Sequence, residues 1–318
     1  MSDSGGRAIL GAMLGVDCAR RGELSDIGRR TIDSAGQVLL GRDDLAANSL
    51  KDFSPPELAL AVETEEEAQL AVSLLAVMSL VGDALDRVKT ERVLVFAEAL
   101  EVDADYLEIL DQATNGDISD ATKRLMRKNL ESFPRLNEDG IETDPAIPLL
   151  PYRDDGEQPD LEARFRALAD LEPGTLGYGF FSFIESNGLA FPGHPDGLAD
   201  GFTVPHDSSH VVAGYSASEQ GELCTATFIG AMHPVDPMEA EVLPVLFSWH
   251  LDIKLDPWAE SSRGAFDPRK FWTAWERGRS MKVDLLDEEW DFWGATEVPL
   301  DELRREYGVL PVEDNLLA

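Results

Sequence analysis

Helix-start signals recur along this chain, and they constrain its fold more than any other feature. Ser25, Thr64, Asp86, Asp103 and Thr175 each stand just before a segment whose apolar residues return at helical spacing. A short oxygen-bearing side chain at such a position can accept a hydrogen bond from one of the helix's first free N–H groups. Thr64-Glu65-Glu66-Glu67 has the capping-box pattern ahead of the apolar run Leu70 to Val81, and Pro55-Pro56 suits the first turn of a short helix. Asp117 or Ser119 is placed to cap a further helix through Lys128. Stop signals match the starts: Gly41, Gly188 and Gly214 each follow the last periodic residue of a segment. The expected fold class is all-α.

At 318 residues with 43% hydrophobic content, the chain can form one large domain or two ordinary ones. Composition changes between about Glu131 and Pro159, where Pro, Asp, Glu and Gly dominate. The sequence therefore suggests a helical domain over residues 1–131, a linker over 132–158 and a second helical domain over 159–318, with Ile147 to Leu150 as an extended strap. Within the first part, residues 24–41 and 85–102 echo one another faintly, each a polar start followed by an apolar helix. In the second part, Leu161, Phe165 and Leu168 recur at helical spacing. The helix from Thr175 carries Tyr178, Phe180, Phe181 and Phe183 around much of its girth, as a buried helix or the wall of an apolar ligand channel would.

A formal net charge of -34 argues against nucleic acid as a partner, because that binding needs clustered Lys and Arg. The two cysteines, Cys18 and Cys224, are far apart and form neither a disulfide framework nor a metal-binding pair. No basic and apolar leader follows Met1, and the longest apolar run is too short to span a bilayer. A cytoplasmic location is expected, with any membrane contact peripheral at the inner face.

Chemistry concentrates at His206-Asp207-Ser208-Ser209-His210, followed after eleven residues by Glu222. On a helix from about Pro205 to Ala213, His206 and His210 are one turn apart and face the same point. Ser216 to Glu219 has a capping-box pattern that would start a second helix, bringing Glu222 back toward the histidines. Two imidazoles and one or two carboxylates suit a divalent metal, whether Zn, Fe or Mn, and the residue types alone do not choose among them. Asp207 can either ligate or orient a histidine. The alternative is a pair of hydrogen-bonded helix histidines with an acid nearby. His194, His233 and His250 read as surface or structural residues, and Arg304 as a surface charge beside Glu302 and Glu306.

Two resemblances follow from these residues. The echo in the first part, with "SPPELA" between its copies, resembles the TerB-like tellurite-resistance helical domain over roughly residues 7 to 130. That resemblance points to Asp17, Glu23 and Asp26 as metal-associated acids, although acidic residues at helix starts are equally explained by the helix dipole. "HDSSHVVAGYSASEQGE", "LEPGTLGYGFFSFIESNGLAFP", "FWTAWERGRSMKVDLL", Trp290 and "VPLDELRREYGVLP" occur in order over roughly residues 160 to 312. Together they resemble the coenzyme Q biosynthesis protein four family. The resemblance implies an all-helical fold, a divalent metal, zinc foremost, held by His206, Asp207, His210 and Glu222, and a role in ubiquinone synthesis on a polyprenylated benzoate, including its oxidative decarboxylation. It also implies prenyl-lipid binding, with Tyr178, Phe181 and Tyr215 expected at the ligand, and association with other quinone-biosynthesis proteins and with a second copy of the chain. No residue is assigned a catalytic role. A non-catalytic prenyl-lipid scaffold with a structural metal is a second reading. A zinc hydrolase, with Asp207 as its base, is a third.

Overall fold

The computed structural model describes residues 2–138, 158–255 and 260–317. Among them lie sixteen α-helices and no strand, so the chain is all-α as its capping signals require. No helix among the described residues is long and apolar enough to cross a membrane. The chain divides into two compact units, one of Met1–Leu125 with Leu243–Thr273 and one of Met126–Val242 with Ala274–Ala318. This differs from the division at residues 131 and 159 expected above. Composition marks a break in the chain, but it carries no signal that a later segment returns to an earlier unit. The expected strap at residues 147–150 lies outside the described residues.

The first unit is built on α1 (Asp3–Cys18), α2 (Asp26–Leu40), α3 (Pro55–Ala61), α4 (Glu65–Leu80), α5 (Arg87–Ala99) and α6 (Asp105–Thr114). Helix α4 runs through its centre with Ala71, Val72, Leu74, Leu75, Val77 and Met78 all buried. An apolar surface on every side is what a helix needs to be covered all round. Each such large apolar side chain contributes about 1.5–3 kcal/mol on burial. Ser25, Thr64 and Asp86 cap α2, α4 and α5 through their side chains, as expected. Helix α6 begins one residue later than expected, with Ala104 and not Asp103 at its N-cap.

The two echoing segments are α2 and α5, and their N-termini meet at Asp17. Its Oδ2 accepts from the Ser25 N–H at 2.6 Å, and its Oδ1 accepts from Lys89 Nζ at 2.6 Å. The Asp17 carboxylate is therefore buried and paired with a lysine, neither solvated nor open to a metal. The late segment supplies α13 (Leu243–Trp249) and the start of α14 (Pro268–Arg279). From α14 the buried Trp272 donates its indole N–H to Thr31 O at 3.1 Å. His250 is buried and packs against Phe266, consistent with a structural role.

The second unit contains the end of α7 (Ile118–Glu131), α8 (Pro134–Glu138), α9 (Pro159–Arg166), α10 (Leu176–Ser186), α11 (Asp200–Ala213), α12 (Glu219–Met232), α15 (Phe292–Ala295) and α16 (Leu300–Tyr307). A π-helical turn over Met238–Val242 packs on α12. Phe165, Phe180, Ile184, Val212, Trp290, Phe292 and Leu303 share one core cluster, which holds α10 and α11 together. Phe133 and Leu136 pack with Leu130, Ile229 and Leu286 in another, so the first residues of the expected linker are core residues of this unit. Arg304 is not a free surface charge: it donates to Val212 O at 2.9 Å and Val211 O at 3.0 Å, satisfying carbonyls at the end of α11 that have no helical partner.

Candidate metal centre

Helix α11 begins at Asp200, five residues earlier than expected, so Pro205 lies inside it and not in its first turn. The two histidines keep the expected one-turn spacing, with ring centroids 5.0 Å apart. Gly214 ends the helix with φ 81°, a left-handed conformation that suits glycine, and its N–H bonds to His210 O at 2.7 Å. Ser218, two positions later than the expected cap, starts α12 by accepting from Gly221 N at 3.1 Å. Gly221 is needed there, since a Cβ at that position would run into the Ser216 carbonyl. These turns set Glu222, in the first turn of α12, opposite the histidines.

Glu222 Oε1 lies 3.5 Å from His210 Nε2, and Glu222 Oε2 lies 3.7 Å from His206 Nε2. The three ligand atoms fall within 4.8 Å of one another. Ligands held about 2.0–2.2 Å from a tetrahedral ion stand roughly 3.3–3.6 Å apart, close to the two separations between Glu222 and the histidines. His210 is fully buried, yet its Nε2 has no hydrogen-bond partner among the described residues. Leaving such an atom unpaired costs about 1–3 kcal/mol unless something else occupies it. The residues present therefore fit a divalent metal.

The remaining ring nitrogens explain how the ligands are aimed. His210 Nδ1 lies 3.3 Å from Tyr215 O and 3.0 Å from Thr225 Oγ1. A carbonyl can only accept, so the proton belongs on Nδ1 and the lone pair of Nε2 points at Glu222. His206 Nδ1 lies 2.9 Å from Asp207 Oδ1, which fixes the second ring in the same way. Asp207 is therefore placed behind His206 and outside the three-residue ligand group; of its two expected roles, the geometry gives it the orienting one.

Burial opposes a charge on His206, but its hydrogen bond to Asp207 and the negative charges of Glu222, Asp207 and Glu241 outweigh it and bring its pKa up to about 9. Burial also opposes the charge on Glu222, yet the two histidines hold its pKa below the usual carboxylate value. Both rings are walled by phenylalanine: Phe183 stacks on His210 at 4.7 Å and Phe202 on His206 at 5.0 Å. Such walls keep water out and strengthen every charge interaction inside.

Of the residues expected at a prenyl ligand, Phe181 stacks on Phe191, and it lies about 200° around α10 from Phe183. Tyr178 is half-buried on the same helix. The Tyr215 ring is buried with Cys224, Phe228 and Ala274, so this residue meets the site through its backbone carbonyl. Phe202 and Thr225 were not singled out from the sequence, although Phe202 precedes His206 by one helical turn and Thr225 follows Glu222 by three positions. His233, held by Asp284 at 2.6 Å, and His194, which accepts from Asp196 N at 3.0 Å, have the structural and surface settings expected of them.

No family model matches this chain, and no curated protein matches it. Among solved structures it is similar to a candidate ubiquinone biosynthesis protein from Nostoc punctiforme at 18% identity and a TM-score of 0.30, covering 78% of this chain and 97% of that one. A superposition that loose transfers no structural detail from one chain to the other.

Proposed function

We propose that His206, His210 and Glu222 hold a divalent ion, zinc first and iron or manganese second, and that the chain acts in ubiquinone-type biosynthesis to remove the carboxyl group of a polyprenylated benzoate. The observation that carries the reading is the buried, partnerless Nε2 of His210 facing Glu222 across from His206. The ordered motifs between residues 160 and 312 point the same way for the substrate class.

When bound, the ion supplies Lewis-acid polarisation of a carboxylate. The chain's own part is positional. Tyr215 O and Thr225 fix the His210 tautomer, and Asp207 fixes that of His206. Phe183 and Phe202 exclude water from both rings. The His206 bond to Asp207 Oδ1 weighs against the hydrolase alternative, in which that carboxylate would serve as the base. A prenylated substrate would bring the protein to a membrane surface peripherally, and we extend the proposal to association with other quinone-pathway proteins and to a homo-oligomer.

Native mass spectrometry of the purified chain, followed by elemental analysis and lipid extraction, tests metal and ligand together. One divalent ion with a prenylated aromatic acid is the expected result, and carboxyl-labelled prenyl-4-hydroxybenzoate should release labelled carbon dioxide. Retention of the lipid without any release would leave the scaffold reading in place of the enzyme. An unrelated lipid would overturn the substrate class.

A further inference from the structure

Among the described residues, Arg277 is a buried cation without an acid partner. It sits near the end of α14, is 5% exposed, and donates from Nε to Leu310 O at 2.9 Å. Its Nη1 is shut off from solvent and has no hydrogen-bond partner. The neighbouring Glu276 does not supply one, since it faces Arg279 at 3.6 Å. This is not for want of acids, because the chain carries 61 Asp and Glu against 27 Lys and Arg. A buried charge left in that state is costly, and folded proteins as a rule pair it.

The Tyr215 ring lies against the same guanidinium, with Arg277 Cζ 5.2 Å from its centroid. Tyr215 is 3% exposed, and its hydroxyl oxygen is also buried without a partner. Arg277 is the one cation that acts on this phenol. A guanidinium N–H and a phenol O–H therefore share one neighbourhood, and among the described residues nothing accepts from either. Cys224, Phe228 and Ala274 pack with the ring, so the surroundings are apolar and any charge interaction there is strong. Arg304 adds positive potential: burial and the charge of Arg277 lower its pKa, against Asp301. Its own N–H groups are committed to Val211 O and Val212 O, which leaves Arg277 as the charge to be answered.

We infer that Arg277 Nη1 and Tyr215 Oη form a binding site for a small carboxylate, distinct from the metal ligands and independent of what a metal does there. A carboxylate carries the single negative charge that Arg277 lacks, and its two oxygens take one donor each. Phosphate at neutral pH brings more charge and more acceptor oxygens than these two donors satisfy. The cover over the site is light. Leu317 packs against the Tyr215 cluster and Leu310 holds Arg277 Nε, but the turn Asp314–Leu316 between them has no buried residue. A small anion enters when that segment parts from the cluster.

Isothermal titration of the purified full chain with acetate, at constant ionic strength in chloride, tests the site. Wild type should bind one acetate, and should bind it more tightly than phosphate. Tyr215→Phe keeps the ring and the backbone carbonyl and removes one donor, so affinity should fall about tenfold. Arg277→Leu removes the charge, and affinity should fall about 100-fold or more. Chelator-treated wild type, still folded by circular dichroism, should bind acetate as tightly as untreated protein. Absence of acetate binding by wild type would overturn the site, and so would tighter binding of phosphate. Affinity in R277L within about threefold of wild type would overturn it too. Loss of binding on chelation would place the anion on the metal instead. If R277L does not fold, Y215F decides alone: an affinity equal to wild type overturns the proposal, and a tenfold loss upholds it.

Discussion

Asp17 in the first unit and Glu222 in the second are both carboxylates facing cationic or basic groups at helix ends, but they differ in how their needs are met. Asp17 is closed: Lys89 and the Ser25 N–H take up its two oxygens at 2.6 Å each, inside a fully buried side chain. Glu222 is open: its histidine partners stand 3.5 and 3.7 Å away, and one of their nitrogens is buried without a partner. Acidity at a helix start does not distinguish a ligand from a structural tie. What distinguishes them is whether protein donors already saturate the carboxylate, since a buried group left unsatisfied marks a place for something else.

The contrast breaks most readily at His210. His210→Ala should abolish stoichiometric metal binding, because it removes the one fully buried ligand, and elemental analysis of the purified variant checks this. Full metal content in H210A would remove the distinction altogether. Lys89→Met probes the closed side. It should cost about 3–5 kcal/mol in a denaturant melt, the usual penalty for stranding one buried charge, with metal content unchanged.

Asp207→Asn sharpens the open side. If Asp207 orients His206 without ligating, metal affinity should weaken about 10–100-fold while metal still binds, as a chelator competition would read. The pH response is smaller again. In the metal-free protein, protonated His206 contributes stability that is full below its ordinary value of 6.5 and is lost as pH rises through about 9. Metal competes for the same nitrogen, so apparent affinity should run the other way, rising about tenfold per pH unit from roughly 7 to 9 and then levelling. A flat affinity over that window would mean that His206 is not a ligand.

The parts legible in sequence are those fixed by short-range geometry. His206 and His210 are one turn apart on a single helix, and Glu222 follows through a turn too short to send it elsewhere. Ser25, Thr64, Asp86 and Thr175 announce their helices because capping is a contact over two or three residues. What escaped needed distant partners. Lys89 reaches Asp17 across 72 positions, and Ser132 reaches Glu241 across 109, with no periodicity to link them. Phe183 differs from Phe181 only by which side of α10 meets α11, a choice made by packing. Pro205 misled because proline favours a first turn, whereas here the helix simply lacks one N–H inside its second.

The return of Leu243–Thr273 to the first unit has a consequence for how the protein is made. Residues up to Leu125 leave the ribosome well before the segment that carries Trp272 and its bond to Thr31. At about 5–20 residues per second, the wait is on the order of ten seconds. During it, the surface that Trp272 will cover is bare in the nascent chain. The unit nearest the N-terminus is therefore the one whose completion comes late in synthesis, and the period between is when a chaperone would find it.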